Sequence, residues 1–191
     1  AVAEAARAAF SLDRVLFVPV WKPVHRDREA LAPYPDRLAM LHLALAEKSW
    51  AEISELEARR QGKSYTIDTL RELRAQFPLP HELYLLLGGD SLAQLPSWKE
   101  FPRLFEYARV LCYPRGAARP EIPAALSAAL SLEKRRQLEE GFLPGALMPV
   151  SSSVIREAWR KGEPVACWVP SPVLEYLGRH RIYREESARE E

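Results

Sequence analysis

The stretch Leu83-Tyr-Leu-Leu-Leu-Gly-Gly-Asp90 decides the fold class. A short unbroken apolar run stopped by two glycines reads as a strand buried on both faces, the pattern of parallel sheets packed between helices. Arg14-Val-Leu-Phe-Val-Pro-Val20 and Arg109-Val-Leu-Cys-Tyr113 repeat it. Ile53-Ser-Glu-Leu-Glu57, a short mixture of apolar and polar residues, predicts a half-buried strand, and Met148–Val150 a last short one. Helical spacing fills the intervals. Val2, Ala5, Ala6, Ala9 and Phe10 share one face over 2–10, and Asp36 caps a helix carrying Leu38, Met40, Leu41 and Leu45. Ser64-Tyr-Thr66 opens a helix with Ile67, Leu70, Leu73 and Phe77; further helices are expected over 102–107, 124–140, 152–161 and 172–179. Strands alternating with amphipathic helices predict an α/β domain with a doubly wound, mostly parallel sheet and helices on both faces. The expected organisation is one domain over 1–191, with 150–191 as its C-terminal helical part. In such sheets ligands lie beyond the carboxyl ends of the strands, so the residues just after the apolar runs carry the function.

Composition narrows the function classes. A chain of 191 residues with 48% hydrophobic and 28% charged positions can bury roughly two-thirds of its unfolded surface. A disulfide-stapled scaffold and a disordered tail are excluded. With 27 basic and 26 acidic residues the net charge is +1, so no global field draws the chain to a nucleic-acid polymer or a membrane. No apolar run reaches the roughly 18–20 residues of a membrane span. Cys112 and Cys167 are too few for a disulfide framework, which suits a reducing, cytoplasmic setting. Arg supplies 21 of the basic residues, Pro occurs 16 times and Asn is absent. That bias leans to a thermophile, with a GC-rich genome as the alternative; a melting midpoint below about 60 °C would favour the latter.

Four loops hold candidate chemistry. Gly88 and Gly89 allow close approach to the backbone, and Asp90 can cap the next helix or accept from a ribose hydroxyl. Trp98, in a polar proline-flanked loop, offers a flat face for a ring. Ser64 or Thr66 can cap the helix they open, and the free N–H groups there favour a carboxylate or phosphate. Ser151-Ser-Ser-Val-Ile-Arg156 has more hydroxyls than a cap requires, with an arginine one turn on, and reads as a phosphate site. His25 and Arg26 form a basic loop after the first strand, while His42 reads as a packing or surface residue. No histidine pair has metal-ligand spacing, and neither a dinucleotide glycine fingerprint nor a P-loop occurs.

The ordered set formed by His25-Arg26, Ser64-Tyr-Thr-Ile-Asp-Thr69, Gly88-Gly-Asp90 with Trp98, and Ser151–Arg156 resembles the bacterial nicotinate-nucleotide adenylyltransferases. The ending Val169-Pro-Ser-Pro-Val-Leu-Glu-Tyr-Leu177 with Ile182-Tyr183 extends the resemblance over nearly the whole chain. It implies a Rossmann-like nucleotidyltransferase fold and transfer of AMP from ATP to nicotinate mononucleotide in NAD synthesis. By the resemblance, Tyr65 and Thr66 would hold the nicotinate carboxylate and Trp98 would stack on the pyridine ring. Gly88, Gly89 and Asp90 would line the adenosine path, and Ser152, Ser153 and Arg156 would bind ATP phosphates neutralised by Mg²⁺. Two motifs depart from the family's: Lys22-Pro-Val-His-Arg26 replaces a Pro-Pro-His-Lys loop, and Ser153 a threonine. The family opens with a strand and a His-x-Gly-His motif, whereas no histidine here precedes His25. The first strand and the catalytic motif are therefore expected to be missing from this chain, leaving it catalytically incomplete. A non-catalytic nucleotide-binding domain is the alternative reading. An adenylyltransferase for nicotinamide mononucleotide or phosphopantetheine is another. A homo-oligomer stays open.

Overall fold

The computed structural model describes residues 1–24, 31–114, 121–144 and 150–183. The run that decides the fold class forms strand β3 (Tyr84–Gly88), which pairs in parallel with β4 (Arg109–Tyr113) from Tyr84↔Arg109 to Gly88↔Tyr113. Its side chains divide by the strand's period of two. Tyr84 and Leu86, with Leu111 and Tyr113, meet Ala5, Ala6, Phe10 and Leu12 of helix α1 (Val2–Ala9) and its C-terminal flank. Leu85 and Leu87, with Val110 and Cys112, meet the opposite layer. That layer takes Ile67 and Leu70 from α4 (Thr66–Gln76), Leu92 from α5 (Gly89–Gln94) and Leu104 from α6 (Phe101–Tyr107). Leu126 of α7 (Ala124–Ala129) and Leu138 of α8 (Leu132–Glu140) complete it. Helices thus cover both faces, which is why the run is apolar without alternation.

The other strands depart from expectation. β1 is the short Val15–Phe17, parallel to β2 (Ala51–Ile53) in the register Val15↔Ala51. The expected strand over 53–57 ends where it was expected to begin. Leu56–Arg60 is helix α3, and its Leu56 and Glu57 are buried. Among the described residues the expected single sheet is two two-stranded parallel ladders. α1 touches both, with Phe10 against Tyr84 and Arg7 over the Trp50 ring beside β2.

Residues 145–149 lie outside the described residues, and with them most of the strand expected at 148–150. The edge of β4 is instead met by Phe142, in an isolated parallel bridge to Cys112. Cys112 N–H donates to Gly141 O and Leu143 N–H to Cys112 O, both at 2.9 Å. Gly141 makes this approach feasible: a Cβ there would lie 2.2 Å from Val110 O.

The helix expected over 124–140 is two, because Leu130 is extended and Ser131 starts α8 by accepting from Lys134 N–H. α2 (Tyr34–Leu45) begins after Pro33, so Asp36 lies in its first turn rather than at the cap. Asp36 accepts from Tyr176 O–H at 2.9 Å and ties α2 to α10 (Ser171–Arg179). His42 is exposed in the last turn of α2. α9 (Ser152–Arg160) and α10 match their expected bounds to within a residue.

Candidate active site

The start of α4 is the first corner of the site. Its cap position is Tyr65, and no side chain caps it. Thr66 follows half-buried at the first helical position. Ser64, expected as a cap, bonds elsewhere, and its Oγ accepts from the Trp21 and Lys22 N–H groups at 3.0 Å each. Ser64 N–H in turn donates to Lys22 O at 2.9 Å. Buried Glu57 adds to the clamp, accepting from Trp21 N–H at 3.2 Å and from Thr69 O–H at 2.7 Å. The chain leaving β1 is thereby held against the α3–α4 junction. With Ser64 used elsewhere, the first N–H groups of α4 keep their pull on an anion.

Trp98 and Tyr65 both pack half-buried on the same core cluster, and it is the residue after Trp98 that reaches the helix start. A residue with no motif of its own joins them. Lys99 Nζ sits 4.7 Å from the Tyr65 ring centroid and 3.0 Å from Asp68 Oδ2. Its only signal in the sequence is its place directly after Trp98. Asp68 also meets Arg71, which reaches Glu100. Arg71, with Arg103, holds the Glu100 carboxyl below the usual carboxylate range against the opposing effect of burial.

Gly88 and Gly89 stand at the end of β3, with Gly88 as the N-cap of α5. Asp90, expected as a cap, is exposed in the first turn, where its charge complements the helix dipole. A Cβ on Gly88 would come within 3.1 Å of the Tyr113 ring and hydroxyl. The close approach at Gly88 is therefore to Tyr113.

The serine run divides its labour. Ser151 caps α9 by accepting from Val154 N–H at 3.2 Å. Ser152 and Ser153 are left exposed, and Arg156 Nη2 donates to Ser153 Oγ at 3.3 Å. One serine suffices for the cap, and two hydroxyls with an arginine remain at a helix start, a combination suited to phosphate. His25 and Arg26 lie outside the described residues.

Nearly the whole chain matches known proteins. A probable nicotinate-nucleotide adenylyltransferase of Geobacter metallireducens is 36% identical over 97% of this chain and 91% of its own length. The chain belongs to the nicotinate-nucleotide adenylyltransferase family. A second relative in that family, from a Roseiflexus species, is 37% identical over 96% of this chain and 89% of its own length. Residues 1–158 also match the broader family described as cytidylyltransferase-like. A solved structure of the Plasmodium falciparum nicotinic acid mononucleotide adenylyltransferase, complexed with APC, superposes with a TM-score of 0.64. It is 14% identical and covers 90% of this chain and 83% of that one, and supports the fold alone. The motifs that point to the adenylyltransferase family are those of α4, the β3–α5 turn, Trp98 and α9. No described helix is long and apolar enough to cross a membrane.

Proposed function

We propose that this protein transfers AMP from ATP to nicotinate mononucleotide, forming nicotinate adenine dinucleotide and pyrophosphate. The observation that carries the choice of acceptor is the meeting of Trp98, the uncapped start of α4 and Lys99 in one corner. A flat ring bearing a carboxylate fits this corner: the ring would stack on the indole, and its charge would face the helix N–H groups, with Lys99 neutralising the Asp68 carboxylate of the same turn. The neutral amide of nicotinamide mononucleotide gains less from the helix N–H groups, and phosphopantetheine has no ring for Trp98.

Tyr65 and Thr66 would hold the carboxylate, Gly88, Gly89 and Asp90 would line the adenosine path, and Ser152, Ser153 and Arg156 would bind the ATP phosphates. Among the described residues no group of three or more His, Cys, Asp or Glu could cage a metal ion. Mg²⁺ would arrive with ATP and would neutralise the phosphates that Ser152, Ser153 and Arg156 hold. A phosphate oxygen of the mononucleotide attacks the α-phosphorus of ATP in line. The P–O bond to the β-phosphate breaks, and pyrophosphate carries away the electron pair. The protein's contribution is alignment and charge stabilisation, with no covalent intermediate. Buried Cys112 and exposed Cys167 are both free, in keeping with a cytoplasmic enzyme.

The test is pyrophosphate release by the full-length protein with ATP and either nicotinate or nicotinamide mononucleotide. The proposal expects kcat/KM to favour nicotinate by at least about tenfold, and Lys99→Met to narrow that ratio. Equal use of both acceptors would overturn the assignment of the corner.

A further inference from the structure

Arg156 leans on a residue far along the chain. Its guanidinium carbon lies 5.7 Å from the ring centroid of Tyr183, within cation–π range. Tyr183 is itself held tightly. Its hydroxyl accepts from the N–H of buried Ala32 at 3.0 Å, across 151 positions of sequence. The preceding Ile182 is buried, and its carbonyl accepts from Trp159 Nε1 of α9 at 2.9 Å. Tyr183 has φ of 59°, a left-handed conformation that a bulky residue keeps only where its surroundings over-determine it. Ala32 is gripped from its other side as well. Arg37 Nε donates to Ala32 O at 3.0 Å, and Arg37 Nη2 to Val20 O at 2.7 Å. Val20 immediately precedes Trp21 and Lys22, the residues clamped by Ser64 beside Tyr65. A continuous set of contacts therefore runs from Arg156 through Tyr183, Ala32, Arg37 and Val20 to the start of α4.

The geometry points to Tyr183 as a positioning residue for Arg156, fixing the phosphate-binding arginine against the rest of the site; this rests on the phosphate reading of Arg156 given above. The two ends of the tyrosine play different roles. The ring limits the directions Arg156 can take, so the guanidinium meets the nucleotide already oriented. The hydroxyl satisfies the buried Ala32 N–H, while buried Ile182 and the left-handed backbone of Tyr183 hold the ring in place.

The division can be tested in the full-length protein with Tyr183→Phe, Tyr183→Leu, Arg156→Ala and the Arg156→Ala/Tyr183→Leu double variant. Michaelis constants for MgATP and nicotinate mononucleotide, kcat and thermal midpoints are measured for each. Arg156→Ala should raise the MgATP constant. Tyr183→Leu should raise it about three- to tenfold, leaving kcat and the acceptor constant within about twofold. Tyr183→Phe keeps the ring, so its MgATP constant should stay within about twofold while its midpoint falls, because Ala32 N–H loses its partner. In the Arg156→Ala background Tyr183→Leu should add no further increase in the MgATP constant. Where Tyr183→Leu folds poorly, Tyr183→Met, of similar bulk and without a π face, makes the same comparison.

The inference is overturned if Leu leaves the MgATP constant unchanged or raises both constants together. It also fails if Phe is as damaging as Leu, or if the two substitutions multiply. If Arg156→Ala itself leaves the MgATP constant unchanged, the phosphate reading fails and the inference with it, and that single variant identifies which has failed.

Discussion

Replacing Trp98 by alanine separates the two contributions of its indole. Half-buried on the core cluster that also holds Tyr65, it contributes to packing and, in the proposed function, offers a face to the acceptor ring. Base–aromatic stacking is worth about 1–3 kcal/mol by alanine substitution. The pyridine ring is smaller than a purine, so about 1–2 kcal/mol is the appropriate range, a rise of about 5- to 30-fold in the Michaelis constant for nicotinate mononucleotide. Truncating a fully buried tryptophan costs about 3–5 kcal/mol, and half burial scales that to about 2 kcal/mol. For a chain of this length the midpoint should fall by about 4–8 °C. Steady-state pyrophosphate release at 25 °C, varying each substrate against saturation of the other, reads the first effect without the second, because the MgATP constant serves as the internal reference. Trp98→Phe keeps a smaller π face and should raise the acceptor constant only about two- to threefold. Equal increases in both constants, or a phenylalanine variant as impaired as alanine, would refute the stacking assignment.

Three further outcomes follow from the packing. Ser64→Ala removes the hydroxyl acceptor from Lys22 N–H and leaves Trp21 N–H to Glu57 alone, so about 0.5–1.5 kcal/mol of stability should be lost. A thermal midpoint within about 1 °C of wild type would show that the clamp is dispensable. Gly141→Ala forces a Cβ to 2.2 Å from Val110 O and should destabilise by more than about 2 kcal/mol in urea titration, with separation of Phe142 from β4. An unchanged denaturation midpoint would contradict the close approach. Burial pushes the Cys112 thiol up to about 11, so it stays protonated at neutral pH, whereas Cys167 is exposed. Thiol titration at pH 8 should therefore modify one cysteine in the native protein and both in denaturant; two fast-reacting thiols in the native state would contradict that burial.

The pattern of a strand buried on both faces is legible wherever one element carries the signal. Leu83–Leu87 is apolar without alternation because α1 meets one face and α4–α6 the other. The segment after β2 misleads for a physical reason. Ile53-Ser-Glu-Leu-Glu57 mixes apolar and polar residues over five positions, too few to separate strand from helix; its apolar residues are in fact three apart, a helical spacing, and Glu57 counts as a solvent-facing charge. In the fold Glu57 is buried because Thr69 and Trp21 supply its hydrogen bonds, partners 12 and 36 positions away. The site divides likewise. The surplus serines at 151–153 are readable, since one cap needs one hydroxyl. Ser64 reads as a cap because local spacing cannot reveal an acceptor for the N–H groups of Trp21 and Lys22.

By itself, then, the sequence determined what depends on neighbours along the chain: the buried run of β3, the capped start of α9, the glycine turn after β3 and the ordered motifs of an adenylyltransferase. Tertiary structure alone decided which groups meet. Lys99 reaches Tyr65 and Asp68, Gly141 admits Phe142 to β4, and Tyr183 braces Arg156 while satisfying Ala32. Periodicity and capping are short-range consequences of backbone geometry, written within a few residues. Partners for buried polar groups are chosen only when distant segments pack and exclude the water that would otherwise serve them.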